Sequence, residues 1–101
     1  MVSTPTFQLR EFGLTFATRG RGKELRSELL ARMVGEGEIE IEIDFAGVTN
    51  VSYSFADEFL GVLVASPSAT VPLMRLVNVE PAVDRVVKDA IGRRRGEPVA
   101  C

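Results

Sequence analysis

The chain has 101 residues, of which 46% are hydrophobic and 26% are charged, values typical of one globular domain and not of a disordered or fibrous protein. Its formal net charge of −2 has the wrong sign for a protein that neutralises many phosphates, so nucleic acid is not expected as a partner. The single cysteine, Cys101, cannot form an intramolecular disulfide, and no apolar run is long enough to span a membrane. With no signal-peptide pattern at Met1, these features predict a cytoplasmic protein without a membrane segment.

The first third of the chain predicts β structure followed by a helix. Two β-rich runs, 7–12 and 14–17, flank Gly13 and predict one bent strand or a short hairpin. Helical spacing then predicts a first helix over 22–34, with Gly35 as its C-terminal cap. The apolar positions that carry this spacing are Leu25, Leu29, Leu30, Met33 and Val34.

The next segment, from Glu38 to Phe45, alternates strictly and predicts a half-buried strand. The apolar face carries Ile39, Ile41, Ile43 and Phe45, and the other face carries Glu38, Glu40, Glu42 and Asp44. Such an acidic row indicates that helices cover only one face of the sheet. Adjacent acids on one strand face are about 6–7 Å apart, so a solvated face is expected in preference to a metal site.

The remaining elements follow in the same order of strand and helix. Helical spacing from Ser54 predicts a second helix that ends near Ser66-Pro67, and 72–77 is a short apolar strand. Pro81 suits the first turn of a third helix. Its apolar face carries Val83, Val86, Val87, Ala90 and Ile91.

The order β(β)-α-β-α-β-α predicts an α/β fold, a two-layer sandwich in which helices lie on one face of a mixed sheet of about four strands. The domain is expected to span residues 7–92. Residues 1–6 form an N-terminal arm, and residues 93–101, which lack periodicity, are expected to form a flexible tail.

Three motifs connect this fold to a known family. They are Asp44 at the end of the alternating strand, the Gly47-Val48 turn, and Ser54-Phe-Ala-Asp-Glu58 at the start of the second helix. Together they resemble the STAS superfamily of sulfate transporters and anti-sigma factor antagonists, and more closely the bacterial and phage STAS-like domains of unassigned function. The resemblance covers residues 7–92, which include Phe16-Ala-Thr-Arg19 and Leu76-Val-Asn78.

The resemblance implies a non-enzymatic regulatory domain that binds a protein partner. In anti-sigma factor antagonists the turn before the second helix reads Asp-Ser-Ser/Thr-Gly, and an ATP-binding anti-sigma kinase phosphorylates its second hydroxyl residue. The matching positions here are Ser52, Tyr53, Ser54 and Phe55, of which only Ser54 keeps the residue type. Ser54 is therefore the candidate phosphoacceptor, and a histidine-kinase-like ATPase or anti-sigma kinase is the implied partner.

Local sequence gives Ser54 a structural interpretation as well. Ser54 and Asp57 have the spacing of a capping box, in which the hydroxyl accepts a hydrogen bond from an amide of the first turn. The two roles are compatible, although Asp57 and Glu58 are expected to repel a phosphate. The predicted partner-binding surface consists of the loop 49–53 and the helix start, chiefly Ser52, Tyr53, Ser54, Asp57 and Glu58.

A basic segment before the first helix supports an alternative function. Arg19, Arg21 and Lys23 could contact an anion, as in a small-molecule or nucleotide-binding sensor, although a plain flexible turn over 18–23 is the preferred interpretation. The chain has no histidine and no zinc-ligand spacing, so no catalytic residue, metal or cofactor is expected. Oligomeric state stays open at this point.

Overall fold

The computed structural model describes residues 5–36, 40–65 and 73–94. Its elements, in chain order, are β1 (Thr6–Gln8), a 3-10 turn (Leu9–Glu11), β2 (Thr15–Phe16), α1 (Arg19–Glu36), β3 (Glu40–Asp44), β4 (Asn50–Val51), α2 (Tyr53–Ala56), a π-helical turn (Asp57–Gly61), α3 (Val62–Ala65), β5 (Leu73–Val77) and α4 (Pro81–Arg94). The predictions for Glu38, Ile39, Ser66-Pro67 and most of the terminal arm and tail lie outside the described residues.

The strands form two small sheets, and the predicted α/β fold class is confirmed. β1, β3 and β5 make a three-stranded sheet with β3 at its centre, while β2 and β4 make a separate pair. Every described pairing is parallel, where a mixed sheet was predicted. The reason is that a helical connection lies between the paired strands of the larger sheet, and such crossovers return the chain in the same direction.

The prediction of a hairpin or one bent strand near the N-terminus is wrong. β1 and β2 belong to different sheets, because the 3-10 turn and Gly13, at φ +146°, redirect the chain between them. β2 pairs instead with β4, through Thr15 opposite Asn50 and Phe16 opposite Val51. The segment 49–53, predicted as a loop, thus contains a strand that is too short to show alternation.

The alternating strand β3 packs as predicted. Ile41, Ile43 and the following Phe45 are buried, Glu40 is exposed, and Glu42 is half-buried on the opposite face. The buried side chains form one core between the sheets and the helices. Its largest members are Phe7, Phe16, Phe45, Phe55, Phe59, Leu9, Leu25, Leu29, Ile41, Ile43 and Leu60.

Helix α1 begins three residues earlier than predicted, so the expected flexible turn over 18–23 is wrong. The hydroxyl oxygen of Thr18 accepts a hydrogen bond from the amide of Arg21 at 3.1 Å, in the manner of an N-cap. The helix continues to Glu36, one residue past the predicted cap at Gly35. Gly22 lies against α2, where an added Cβ would stand 2.8 Å from the carbonyl oxygen of Phe55.

The helical segment from Tyr53 to Ala65 is interrupted by the π-helical turn, and α4 closes the described chain. Val83, Val87 and Ala90 of α4 are buried, which confirms the predicted apolar face. α4 extends through Arg93 and Arg94, so the prediction that residues 93 and 94 belong to a flexible tail is wrong. Among the described helices, none combines the length and apolar character needed to cross a bilayer.

Replacing Gly22 with alanine is expected to destabilise the protein by about 1–3 kcal/mol, because the new methyl group would collide with backbone and force α1 away from α2. The control is Gly20→Ala, since nothing lies within 4 Å of a Cβ at Gly20. That change should raise stability by up to about 1 kcal/mol through helix propensity. Urea unfolding followed by circular dichroism measures both, and equal stabilisation by the two variants would contradict the close helix contact.

Candidate functional site

Ser52 fixes the junction between β4 and α2. Its hydroxyl oxygen accepts a hydrogen bond from the amide of Phe55 at 3.0 Å and its hydroxyl group donates one to the carbonyl oxygen of Ala17 at 2.9 Å. Its own amide donates to the carbonyl oxygen of Phe16 at 2.9 Å. Ser52 is therefore the N-cap, and it also holds the helix start to the strand β2.

The predicted capping role of Ser54 is wrong. The helix begins at Tyr53, so Ser54 already lies in the first turn and is half-buried. Its carbonyl oxygen accepts a hydrogen bond from the amide of Asp57. The prediction failed because Ser54 and Asp57 have the spacing of a capping box. The true N-cap, Ser52, is followed at the third helical position by Phe55 and therefore shows no capping-box pattern.

Tyr53 presents an aromatic ring at the surface beside Ser54. Its exposed fraction is 37%, and the guanidinium carbon of Arg93 lies 5.4 Å from the ring centroid. This geometry is that of a cation–π contact between the start of α2 and the end of α4. The structure thus keeps the ring accessible and gives it a basic neighbour.

Asp57 lies inside the molecule, at the centre of an ion-pair network. Among the described residues it is the one charged side chain that is buried. Arg94 donates to both carboxylate oxygens, with Nε at 2.6 Å from Oδ1 and Nη2 at 2.8 Å from Oδ2, and Arg19 Nη1 lies 2.8 Å from Oδ2. The two hydrogen bonds from Arg94, followed by the one from Arg19, lower the pKa of Asp57 to about 2 despite its burial.

Glu58 is the second carboxylate of this network. Its Oε2 lies 2.6 Å from Nη1 of Arg26, and its Oε1 lies 3.3 Å from Nη1 of Arg19. Arg26 also donates to the backbone carbonyl oxygen of Glu58. The Arg26 hydrogen bond is the main reason that the pKa of Glu58 is lowered. Asp57 and Glu58, predicted as partner contacts, are thus engaged with arginines of this chain.

The π-helical turn and Gly61 make room for the buried carboxylate. A Cβ at Gly61 would stand 2.7 Å from Asp57 Oδ1 and 2.9 Å from Cγ of Arg94. A larger residue would therefore push the carboxylate and the guanidinium apart. Sequence reasoning missed this arrangement because Arg94 falls in the predicted tail and a π-helical turn has no local sequence signal.

The predicted anion-contact residues lie at the start of α1. Arg19 is bound to Asp57 and Glu58, and Arg21 lies 2.9 Å from Glu24 while it also donates to the carbonyl oxygen of Phe12. An anion would have to compete with these carboxylates. Lys23 is exposed on the same helix.

Asp44, the last acid of the β3 row, shapes the following turn. Its Oδ1 accepts hydrogen bonds from the amide of Ala46 at 2.8 Å and from the side-chain amide of Asn78 at 3.0 Å. The Asn78 hydrogen bond is the main cause of its lowered pKa. In the described ranges, no three side chains of His, Cys, Asp or Glu come together as metal ligands.

Comparison with known proteins identifies the family of this chain. A family model described as a STAS-like domain of unknown function matches residues 21–83, which contain β3, the junction at Ser52, Asp57 and Glu58. The chain belongs to this STAS-like family. No curated protein and no solved structure matches it. Arg19 and Arg94, which complete the network, lie outside the matched residues of this STAS-like domain.

Asp57→Asn is expected to destabilise the protein by about 1–3 kcal/mol at neutral pH, since both arginines lose a charged acceptor but keep contact with water. Folding lowers the pKa of Asp57 from 3.8 to about 2. The ionised carboxylate therefore stabilises the fold fully at pH values above the pKa of the unfolded chain. This contribution, about 2 kcal/mol, is lost as the pH falls from about 5 through the folded pKa. Wild type should therefore lose more stability than the variant over that range in urea titrations.

The matched control is Asp84→Asn, which removes a carboxylate 2.9 Å from the largely exposed Lys88 on α4. Its effect should stay within about 0.5 kcal/mol. Parallel acid profiles for wild type and Asp57→Asn would contradict the assignment of Asp57 as an ionised, stabilising group.

Proposed function

We propose that this chain is a regulatory protein-interaction domain whose partner binds at the first turn of α2. The observation that carries the proposal is the exposed ring of Tyr53 directly beside Ser54, on a junction held by three hydrogen bonds of Ser52. Tyrosine is enriched among residues that dominate binding energy at interfaces. Because the junction is already fixed in the free domain, binding there requires little ordering of the chain.

Phosphorylation of Ser54 is proposed as the switch of this binding. The resemblance to anti-sigma factor antagonists suggests a histidine-kinase-like ATPase or anti-sigma kinase as the partner. In that reaction the Ser54 oxygen forms a bond to the γ-phosphorus of ATP, the bond from that phosphorus to the β-phosphate oxygen breaks, ADP leaves, and the hydroxyl proton passes to solvent.

The charge of Asp57 and Glu58 does not oppose this modification. Sequence reasoning expected these carboxylates to repel a phosphate, but three arginines surround them, namely Arg19, Arg26 and Arg94. The local carboxylate charge is therefore more than balanced. A phosphate of charge about −1.5 to −2 at Ser54 would reverse the sign of the surroundings, which is the property a switch requires.

Tyr53→Ala should weaken capture of a purified histidine-kinase-like ATPase from the same genome by at least about tenfold, because the variant removes the exposed anchor. Leu30→Ala is the matched control, since Leu30 and Tyr53 are both 37% exposed and Leu30 lies on α1 away from the junction. Binding is measured by surface plasmon resonance with the domain immobilised. Equal binding by wild type and Tyr53→Ala would contradict the proposed surface.

The same experiment tests the switch with Ser54→Asp and with ATP. Ser54→Asp should change the affinity for the ATPase while the melting temperature stays close to that of wild type. Incubation with the ATPase and ATP should add one phosphate to wild type and to Ser27→Ala, whose serine is exposed on α1, but not to Ser54→Ala. Phosphate on Ser54→Ala would place the modification elsewhere.

A further inference from the structure

We infer that the partner presents an acidic segment to an arginine face, which is formed by Arg19, Arg93 and Arg94 around Tyr53 and Ser54. This inference rests on the proposed function and names the chemistry of the partner. A chain with a net charge of −2 offers no reason to expect a basic binding surface from composition alone. The evidence for a basic surface is the difference in exposure between the arginines and the carboxylates that they bind.

Most ion pairs of this region expose the arginine more than the carboxylate, and the exception is Arg26 with Glu58, whose exposed fractions are 16% and 19%. The side chain of Arg19 is 48% exposed and that of Arg94 is 38% exposed, whereas that of their shared partner Asp57 is 8% exposed. The pair of Arg93 and Asp89 shows the same order, with exposed fractions of 59% and 31%. Solvent and any partner therefore meet guanidinium groups before they meet carboxylates.

The net charge of the paired side chains in this region is also positive. The ion pairs of this region contain four arginines and three carboxylates, so one positive charge is in excess. The arginines are Arg19, Arg26, Arg93 and Arg94, and the carboxylates are Asp57, Glu58 and Asp89. An acidic group approaching this surface is attracted, and steering of that kind raises the rate of association.

The arginine face surrounds the proposed contact residues. Arg93 lies over the ring of Tyr53, and Arg19 and Arg94 meet on Asp57. Asp57 follows Ser54 by three positions on the same helical segment, a spacing that places Cβ atoms about 5–6 Å apart. The exposed ring and the excess positive charge thus lie next to Ser54.

A short acidic peptide segment fits this surface better than an extended polyanion. The arginine face consists of three arginines and one aromatic ring. An extended nucleic acid binds through a longer row of cations that neutralise its phosphates, and a chain with a net charge of −2 does not favour such a row. A peptide with acidic side chains next to an apolar one can pair with Arg93 and cover Tyr53.

This assignment gives the Ser54 switch a direction. A phosphate of about −1.5 to −2 at Ser54 would outweigh the excess positive charge and compete for the exposed guanidinium groups. An acidic segment would then be repelled. Phosphorylation is therefore expected to release the partner rather than recruit it.

The test measures fluorescence anisotropy of a fluorescein-labelled peptide of repeated Leu-Glu-Glu units. Arg93→Glu should weaken its binding by at least about tenfold, since an attractive charge becomes repulsive beside Tyr53. Arg85→Glu is the matched control, because Arg85 is exposed on the same helix about 12 Å further from the face and the change in net charge is identical. Its effect should stay within about twofold.

Three outcomes would overturn the inference: no binding of this peptide by wild type, equal weakening by Arg93→Glu and Arg85→Glu, or tighter binding of a single-stranded oligonucleotide that shows the same dependence on Arg93. The ATPase assay separates this failure from that of the proposed function. If Tyr53→Ala weakens ATPase capture but Arg93→Glu does not, the proposed interaction surface is retained and the inference of an acidic partner is contradicted. If neither variant alters capture, the proposed surface itself is wrong.

Discussion

The carboxylate of Asp57 is the group on which the arrangement of the helices depends. It binds Arg19 at the start of α1 and Arg94 at the end of α4, so two helices that are far apart in the chain meet at one buried charge. An unpaired carboxylate at that depth would be costly, and three hydrogen bonds compensate for its removal from water. The π-helical turn and Gly61 provide the space for this pairing. The ion pairs therefore fix the position of the first turn of α2 relative to α1 and α4.

The position of this first turn connects the packing of the helices with the proposed function. Ser52 fixes the chain before α2, and the network fixes it one turn later, so Tyr53 and Ser54 lie between two constrained points. Burial of Asp57 leaves the guanidinium groups of its two partners at the surface, and these groups give the proposed binding face its positive charge. One set of interactions thus serves the fold and shapes what a partner meets. Membership of the STAS-like family establishes the type of domain, and the proposed chemistry of the partner rests on these exposures.

Local patterns predicted the parts of the fold that depend on local burial. The alternation of β3 and the apolar stripe of α4 identified buried residues such as Ile43 and Val87 correctly. Long-range contacts were not accessible in this way. β4 is only two residues long, and Arg94 reaches Asp57 across 37 positions of sequence. Position 22 of α1 requires glycine because the backbone of Phe55 approaches it closely. The spacing rule predicts a cap at Ser54 and not at Ser52, because such a rule cannot locate a helix start to within two residues.

Amide hydrogen exchange of wild type and Asp57→Asn tests most directly whether this carboxylate holds the two helices. The account predicts that amides in the last turn of α4 and the first turns of α1 lose at least about tenfold protection in the variant, while amides of β3 keep most of theirs. Unchanged protection at both helix ends, or a loss that is uniform through β3, would contradict a local role for Asp57.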